Sequence, residues 1–283
     1  MCRPTPPLPD LPDAWQWEAR DGLVFLRATP LAALGIPHVF TTRRGGTSAP
    51  PFESLNLGRG VGDALEAVAT NRARALGAMG RSVADHVEAA QVHGRVVALV
   101  TEAHRGQIVA DADGLISTDP AVVAAIHCAD CVPILLADAR RRVVAGVHTG
   151  WRGTAAGMAA AAVAAMVANC GTDPRDLVAA IGPSIGPCCY EVDAPVVDRL
   201  GDWPWHRAVL TPSGRPGHWM LDLWEANHRQ LVDAGVPGPS IATVGLCTAH
   251  HPALFFSHRR DRSTGRMAAM ITTAPAPRVA QGS

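Results

Sequence analysis

Residues 121–149 read AVVAAIHCADCVPILLADARRRVVAGVHT, long apolar stretches rich in valine, isoleucine and alanine, interrupted by His127 and Asp130 and divided by the charged segment DARR. Short apolar runs bounded by turn residues and enriched in β-branched side chains read as buried strands. If Ala139 and Arg140 form a two-residue loop, the flanking runs pair antiparallel and Cys131 faces His148. Directly opposed residues hold their Cβ atoms roughly 4.5–5.5 Å apart, close enough for a thiolate and an imidazole to share one metal ion. Pro133 is the weak point of that register. It would oppose Gly146 and cannot donate to a ladder, and a bulge or a different loop would shift the pairing.

A catalytic zinc site has three protein ligands and a position open to water or substrate. His93, in AAQVHGRVV, sits at the mouth of a strand candidate beside Gln91 and Gly94 and supplies the third donor of this reading. Each residue also has a plainer role open to it: a buried cysteine as core, a strand-end histidine as a local hydrogen-bonding group.

LVFLRAT, HVFTTR, HGRVVALVT, LVAAI, SIATVGLCT and FFSHRRD are further strand candidates. DALEAVATNRARALGAMG, GTAAGMAAAAVAAMVANCG and LDLWEANHRQLVDAG read as helices, the first with Leu65, Val68, Leu76 and Met79 on its apolar positions and each stopped by glycine. Hairpins beside helices favour an α/β (α+β) layered sandwich over regular βαβ winding, and neither GxGxxG nor GxxxxGK[ST] occurs. A proline-rich segment over 1–20 and a tail over 274–283 are expected to be flexible, with one catalytic domain over 21–273.

Twenty-five basic and 25 acidic residues cancel, so no polyanion-binding surface is indicated and nucleic acid is not an expected partner. The chain has no lysine, which excludes a Schiff-base or P-loop lysine and leaves anion binding to arginine or backbone amides. Seven cysteines, an odd number, are not the framework of a secreted disulfide protein. With no charged start followed by an apolar stretch, and no apolar window long enough to span a bilayer, a cytoplasmic location without membrane contact is expected.

The motifs HVFTTRRGG, SLNLG, QVHG, DADG, CADCVPILLAD, GVHTGWRG, IGPSIGPCCYEV, CT and SHRRD followed by TGRMAAMI resemble, in order and spacing, the YfiH-like family over about residues 37–272. Its members carry polyphenol oxidase or laccase-domain, purine nucleoside phosphorylase and peptidoglycan editing factor labels. The resemblance implies a four-layer α/β/β/α sandwich with mixed sheets and a metal, usually zinc, held by His93, Cys131 and His148. It further implies phosphorolysis of adenosine, inosine, guanosine and methylthioadenosine, and deamination of adenosine. On this reading Arg152 and the following helix start cradle a phosphate or oxyanion beside His148, and Arg43 and Asn56 contact phosphate or ribose. The partners are then a nucleoside and phosphate, with no obligate protein partner. Hydrolytic editing of a peptidoglycan precursor, copper-dependent polyphenol oxidation as a side activity, and a non-catalytic metal-binding accessory role are the alternatives.

Several signals stay in reserve. CADC has no second CxxC, which excludes a zinc ribbon. None of the 12 histidines has another two residues away, so the His-x-His pairs of a multicopper cluster are missing, although one copper could still occupy a His/Cys/His site. His127 and Cys128 depart from the family pattern; Cys128 reads as a small buried residue and His127 as a candidate addition to the site. Asp130 is expected on the opposite strand face in a structural role. Cys188 and Cys189 read as a reactive pair or a packed loop, the sole tyrosine, Tyr190, as a substrate contact, and Arg259, Arg260 and Arg262 as a lid or a solvated loop.

Overall fold

The computed structural model describes residues 7–273. Two sheets face one another. The larger runs, in spatial order, Trp15–Arg20 (β1), Leu23–Ala28 (β2), His38–Thr41 (β3), Met267–Ile271 (β16), Val123–Cys128 (β8), His86–Ala89 (β4) and Ile108–Val109 (β6). The second runs Ile241–Thr243 (β15), Val178–Ile181 (β11), Val132–Asp138 (β9), Val143–Thr149 (β10), Gly114–Ser117 (β7) and Val97–Leu99 (β5). Both mix parallel and antiparallel pairs. Glu191–Asp193 (β12), His218–Leu221 (β14) and Leu210–Pro212 (β13) form a small third sheet.

Strands buried on both faces must be apolar at every position, which is why β8, β9 and β10 show so little polar alternation. Ile126, Leu135 and Val144 fill the space between the sheets with Phe40. Ile134, Leu136, Ala145 and Val147 face the other way, against helices Met158–Cys170 (α4) and Leu223–Asp233 (α6). Val123 and Ala125 face outward against Leu65–Ala78 (α2). The layers are therefore helix, sheet, sheet, helix. Thr29–Ala33 (α1), Trp151–Ala155 (α3), Ala194–Leu200 (α5) and His258–Asp261 (α7) are shorter.

Four local expectations need correction. The loop between β9 and β10 has four residues, Ala139–Arg142, and His148 opposes Pro133. Asp138 Oδ1 accepts a hydrogen bond from the Arg141 amide at 3.0 Å, and Arg142 takes a left-handed φ of 56°, so the turn closes two residues later than a minimal hairpin. A slip of two preserves the face: Cys131 and His148 remain on one side, and Cys131 lies against Gly150. The apolar stretch 121–138 is two strands in different sheets, broken at Asp130, φ 94°. The alanine-rich helix is split at Gly157, φ 81°, into α3 and α4. FFSHRRD is not a strand; its end forms α7, capped by the Ser257 hydroxyl accepting from the Arg260 amide.

The segment expected to be flexible through residue 20 includes β1, paired along its whole length with β2 and seated by Trp15, which is 5% exposed. Expectations for residues 1–6 and 274–283 lie outside the described residues. Of α2's expected apolar positions, Val68, Leu76 and Met79 are buried and Leu65 is exposed, while Asn71 and Arg72 are buried instead.

His38 gives this core a pH limit. Its Nδ1–H donates to Ile36 O at 2.8 Å and its Nε2 accepts from the Ala28 amide at 2.9 Å, an arrangement available only to the neutral ring. Burial lowers its pKa from 6.5 to about 4, and burial likewise lowers His86 to about 4 and His127 to about 3. Between about 6.5 and 4 the unfolded chain binds protons that the folded chain refuses, so stability is complete above that window and falls as pH drops through it. His38 alone accounts for about 3 kcal/mol of the loss. Thermal midpoints at pH 7, 5.5 and 4.5 are expected to decline progressively; a flat profile would contradict this account of the three rings.

Candidate metal and substrate site

Three segments converge at the open end of the sandwich. β10 carries His148, Cys131 immediately precedes β9, and His93 follows β4 in a left-handed conformation, φ 61°. One ligand atom from each lies within 4.8 Å of the others. His93 Nε2 stands 3.8 Å from Cys131 Sγ, and the two imidazole rings are 5.0 Å apart, edge to face. The expected trio is therefore brought together, although Cys131 is not directly opposite His148.

Asp113 organises the cluster and is fully buried. Its carboxylate accepts from the His93 and Gly94 amides at 2.9 and 2.7 Å and pairs with His148 Nδ1 at 2.9 Å, while its carbonyl accepts from the His148 amide at 2.7 Å. Engaging Nδ1 leaves Nε2 of His148 for the cluster, the carboxylate–histidine support typical of metal sites. Burial opposes charge on Cys131, but His148 and His93 outweigh it and hold the thiol below its ordinary range. Burial also opposes charge on His148, but Cys131 and Asp113 outweigh it and raise that pKa. A thiolate-prone sulfur with two imidazoles suits zinc or copper. Asp113→Asn is expected to weaken zinc binding roughly 10- to 100-fold by competition with a chromophoric chelator; unchanged affinity would refute the orienting role. Gly150 is required at its place because an added Cβ would lie 2.8 Å from Cys131 Sγ and 3.3 Å from the His93 ring.

The cluster opens into a cleft of about 760 Å³, lined also by Arg59, Arg72, Glu88, His127, Arg152 and Arg266. On its inner wall Arg72 gives Glu88 two hydrogen bonds, 2.5 and 2.7 Å, and His86 and His127 approach the same carboxylate at 3.5 and 3.4 Å. Burial would raise the Glu88 pKa, but Arg72 and the two rings lower it to about 2. His86, Glu88 and His127 also lie within 4.8 Å of one another, yet the guanidinium occupies both carboxylate oxygens, which makes the group an ion-pair cluster. Gln91 holds the His127 backbone from both sides, at 2.6 and 2.8 Å.

The remaining expected residues divide clearly. Arg152 lines the cleft, stacked on Trp151 at 4.4 Å from the ring centroid, but the helix it begins has only five residues. Arg43 is not in the cleft lining: it donates to the carbonyls of Glu53 and Pro252 and lies over Phe256, all of which it needs as a folded loop residue. Asn56 is fully buried and binds Gly58, Asp63 and the Arg266 amide, so it positions the cleft wall from behind. Asp130 accepts from Thr248 Oγ1 and the Arg259 amide, both at 2.6 Å, a structural role. Tyr190 is buried beneath Arg259 and is not among the residues lining the cleft, and Arg260 ties together the carbonyls of Thr248, Ala249 and Phe255. Asp113, Arg72, Glu88 and Arg59 were not singled out from the sequence. The DADG motif was the available signal for the first.

A four-layer sandwich with a histidine–cysteine–histidine cluster at the head of an arginine-lined cleft is the class that fold and site define. The family model described as "Multi-copper polyphenol oxidoreductase laccase" matches residues 37–274, and the chain belongs to that family. A relative from Geobacillus stearothermophilus named purine nucleoside phosphorylase YlmD is 42% identical over 276 residues, 92% of this chain and 97% of that one. A purine nucleoside phosphorylase from Mycobacterium bovis is 42% identical over 236 residues, 83% and 91% of the two chains. The crystal structure of Bacillus licheniformis hypothetical protein YfiH is similar with a TM-score of 0.85 at 35% identity, covering 90% of this chain and 98% of that one. Among the described residues no helix is long and apolar enough to cross a membrane.

Proposed function

We propose that this chain is a zinc-dependent purine nucleoside phosphorylase that transfers the ribosyl group of adenosine, inosine, guanosine or methylthioadenosine-type nucleosides to phosphate. The observation that carries the reading is one cleft holding both the His93, Cys131 and His148 donor set and arginines free for an anion. Arg59 and Arg152 have no carboxylate partner among the described residues, whereas Arg72 is committed to Glu88. A phosphate dianion held by Arg59, Arg152 and Arg266 would be oriented toward the sugar. Its oxygen forms a bond to C1′ as the C1′–N9 bond breaks, and the electron pair leaves with the purine, which takes up a proton. A zinc ion held by His93, Cys131 and His148 supplies Lewis-acid polarisation of an oxygen ligand. His127, kept neutral by burial, offers a hydrogen-bonding ring on the inner wall without a competing charge.

Adenosine deamination, the second expected reaction, calls for a group that moves a proton at C6. Glu88 is the one carboxylate among the described residues lining the cleft, and Arg72 saturates it. Phosphorolysis is therefore the reaction these residues support best. Inosine incubated with phosphate should yield hypoxanthine and ribose 1-phosphate in equal amounts, with no base released when phosphate is omitted. Arg152→Ala should raise the KM for phosphate roughly 10- to 100-fold, the worth of a lost charged hydrogen bond. Ammonia release from adenosine without phosphorolysis, or turnover only of a mis-acylated peptidoglycan precursor, would overturn the proposal.

A further inference from the structure

Apart from the cleft, three more sulfurs lie within one ion's reach. Cys188, Cys189 and Cys247 place their Sγ atoms within 4.8 Å of one another, and the first two are 3.6 Å apart. Tetrahedral zinc–thiolate bonds of about 2.3 Å separate two sulfur ligands by roughly 3.8 Å, so little movement separates this cluster from a coordinating one. The backbone builds it. The Cys189 and Tyr190 amides both donate to Gly186 O at 3.0 Å, folding the vicinal pair back on the loop, and the Gly186 amide donates to Cys247 Sγ at 3.2 Å. Gly186 itself lies against Trp224, where an added Cβ would come within 2.4 Å of the indole. Cys247 is buried, Cys189 half-buried and Cys188 exposed, which leaves the cluster one open side.

We infer that Cys188, Cys189 and Cys247 form a second metal site, a three-thiolate site for a soft d10 cation of the zinc or copper(I) class. The thiol donors select such ions over hard cations. Desolvation, then hydrogen bonding to the neighbouring thiols, raises the Cys188 pKa to about 12, so binding releases protons and tightens with pH. The site joins the loop after β11 to the segment after β15. Ile185 of that loop donates to Asp130 O, and Thr248 donates to the Asp130 carboxylate, one residue from Cys131. A cation here would brace the backbone that carries the cleft's sulfur ligand.

Cadmium alone is the probe, added anaerobically to reduced full-length protein and followed by sulfur-to-cadmium charge-transfer absorption. His86, Glu88 and His127 cannot give this band because they offer no sulfur. In a Cys131→Ser background, which disables the cleft cluster, the band should still titrate to one equivalent. Adding Cys188→Ser and Cys189→Ser together should abolish it, with circular dichroism unchanged. Cys247→Ser, at the buried end, should do the same where the variant folds; the exposed pair keeps the test decisive if it does not. No band in the Cys131→Ser protein, or a band that survives loss of Cys188 and Cys189, would overturn the inference. Neither outcome bears on phosphorolysis, which is read by base release.

Discussion

Cys131→Ala is expected to yield a folded protein that has lost zinc at the cleft and nearly all phosphorolysis of inosine. The sulfur is the one soft donor of the cluster, and two imidazoles alone do not complete the three-ligand set of a catalytic site. Lewis-acid stabilisation is worth several kcal/mol, so kcat/KM should fall on the order of a thousandfold. Folding should survive because the cysteine stands at the rim and the core beneath it is untouched: Val132, Ile134 and Leu135 are all fully buried. Zinc analysis, circular dichroism and a hypoxanthine assay on one preparation separate the outcomes. Turnover undiminished in metal-free Cys131→Ala would remove the metal from the reaction.

The largest effect on stability should follow Arg72→Met. Arg72 and Glu88 are 3% and 6% exposed, and the guanidinium satisfies both carboxylate oxygens while donating to Leu57 O at 2.8 Å. Removing one member of a buried pair leaves an uncompensated charge, at a cost of about 3–5 kcal/mol. Glu88 would then be driven to protonate, its pKa rising from about 2 once the cation is gone. The double variant Arg72→Met/Glu88→Gln should recover much of the loss, because the penalty lies in the stranded charge more than in the missing bond. Urea denaturation of the two variants decides this. Equal destabilisation would show that packing of the guanidinium, not charge pairing, holds the inner wall.

The chain shows its core and its cluster through different kinds of signal. The continuous apolar runs of β8–β10 and the glycine stops of the helices are local, so layered architecture was legible. The face shared by Cys131 and His148 was legible too, because face depends only on parity, whereas their opposition depended on a loop length that Asp138 and Arg142 set. His93 is the third donor by its place at the mouth of a strand candidate, and the motif resemblance points to the same residue; its left-handed φ, held by Asp113 from 20 residues away, has no periodic trace. Arg72 and Glu88 were hidden because a buried arginine on α2 reads like any charged helix position until the facing strand is known. Arg43 and Asn56, expected to contact phosphate or ribose, instead bind backbone groups and stand outside the cleft lining, because their loop motifs also mark residues that hold turns.

Anomalous scattering measured on either side of the zinc absorption edge, from crystals of zinc-loaded protein, tests the central claim most directly. A difference peak enclosed by His93 Nε2, His148 Nε2 and Cys131 Sγ, with a further position open to the arginine-lined cleft, is the predicted result. A zinc peak found elsewhere with none among those three atoms, or the three side chains turned apart in fully loaded protein, would contradict it.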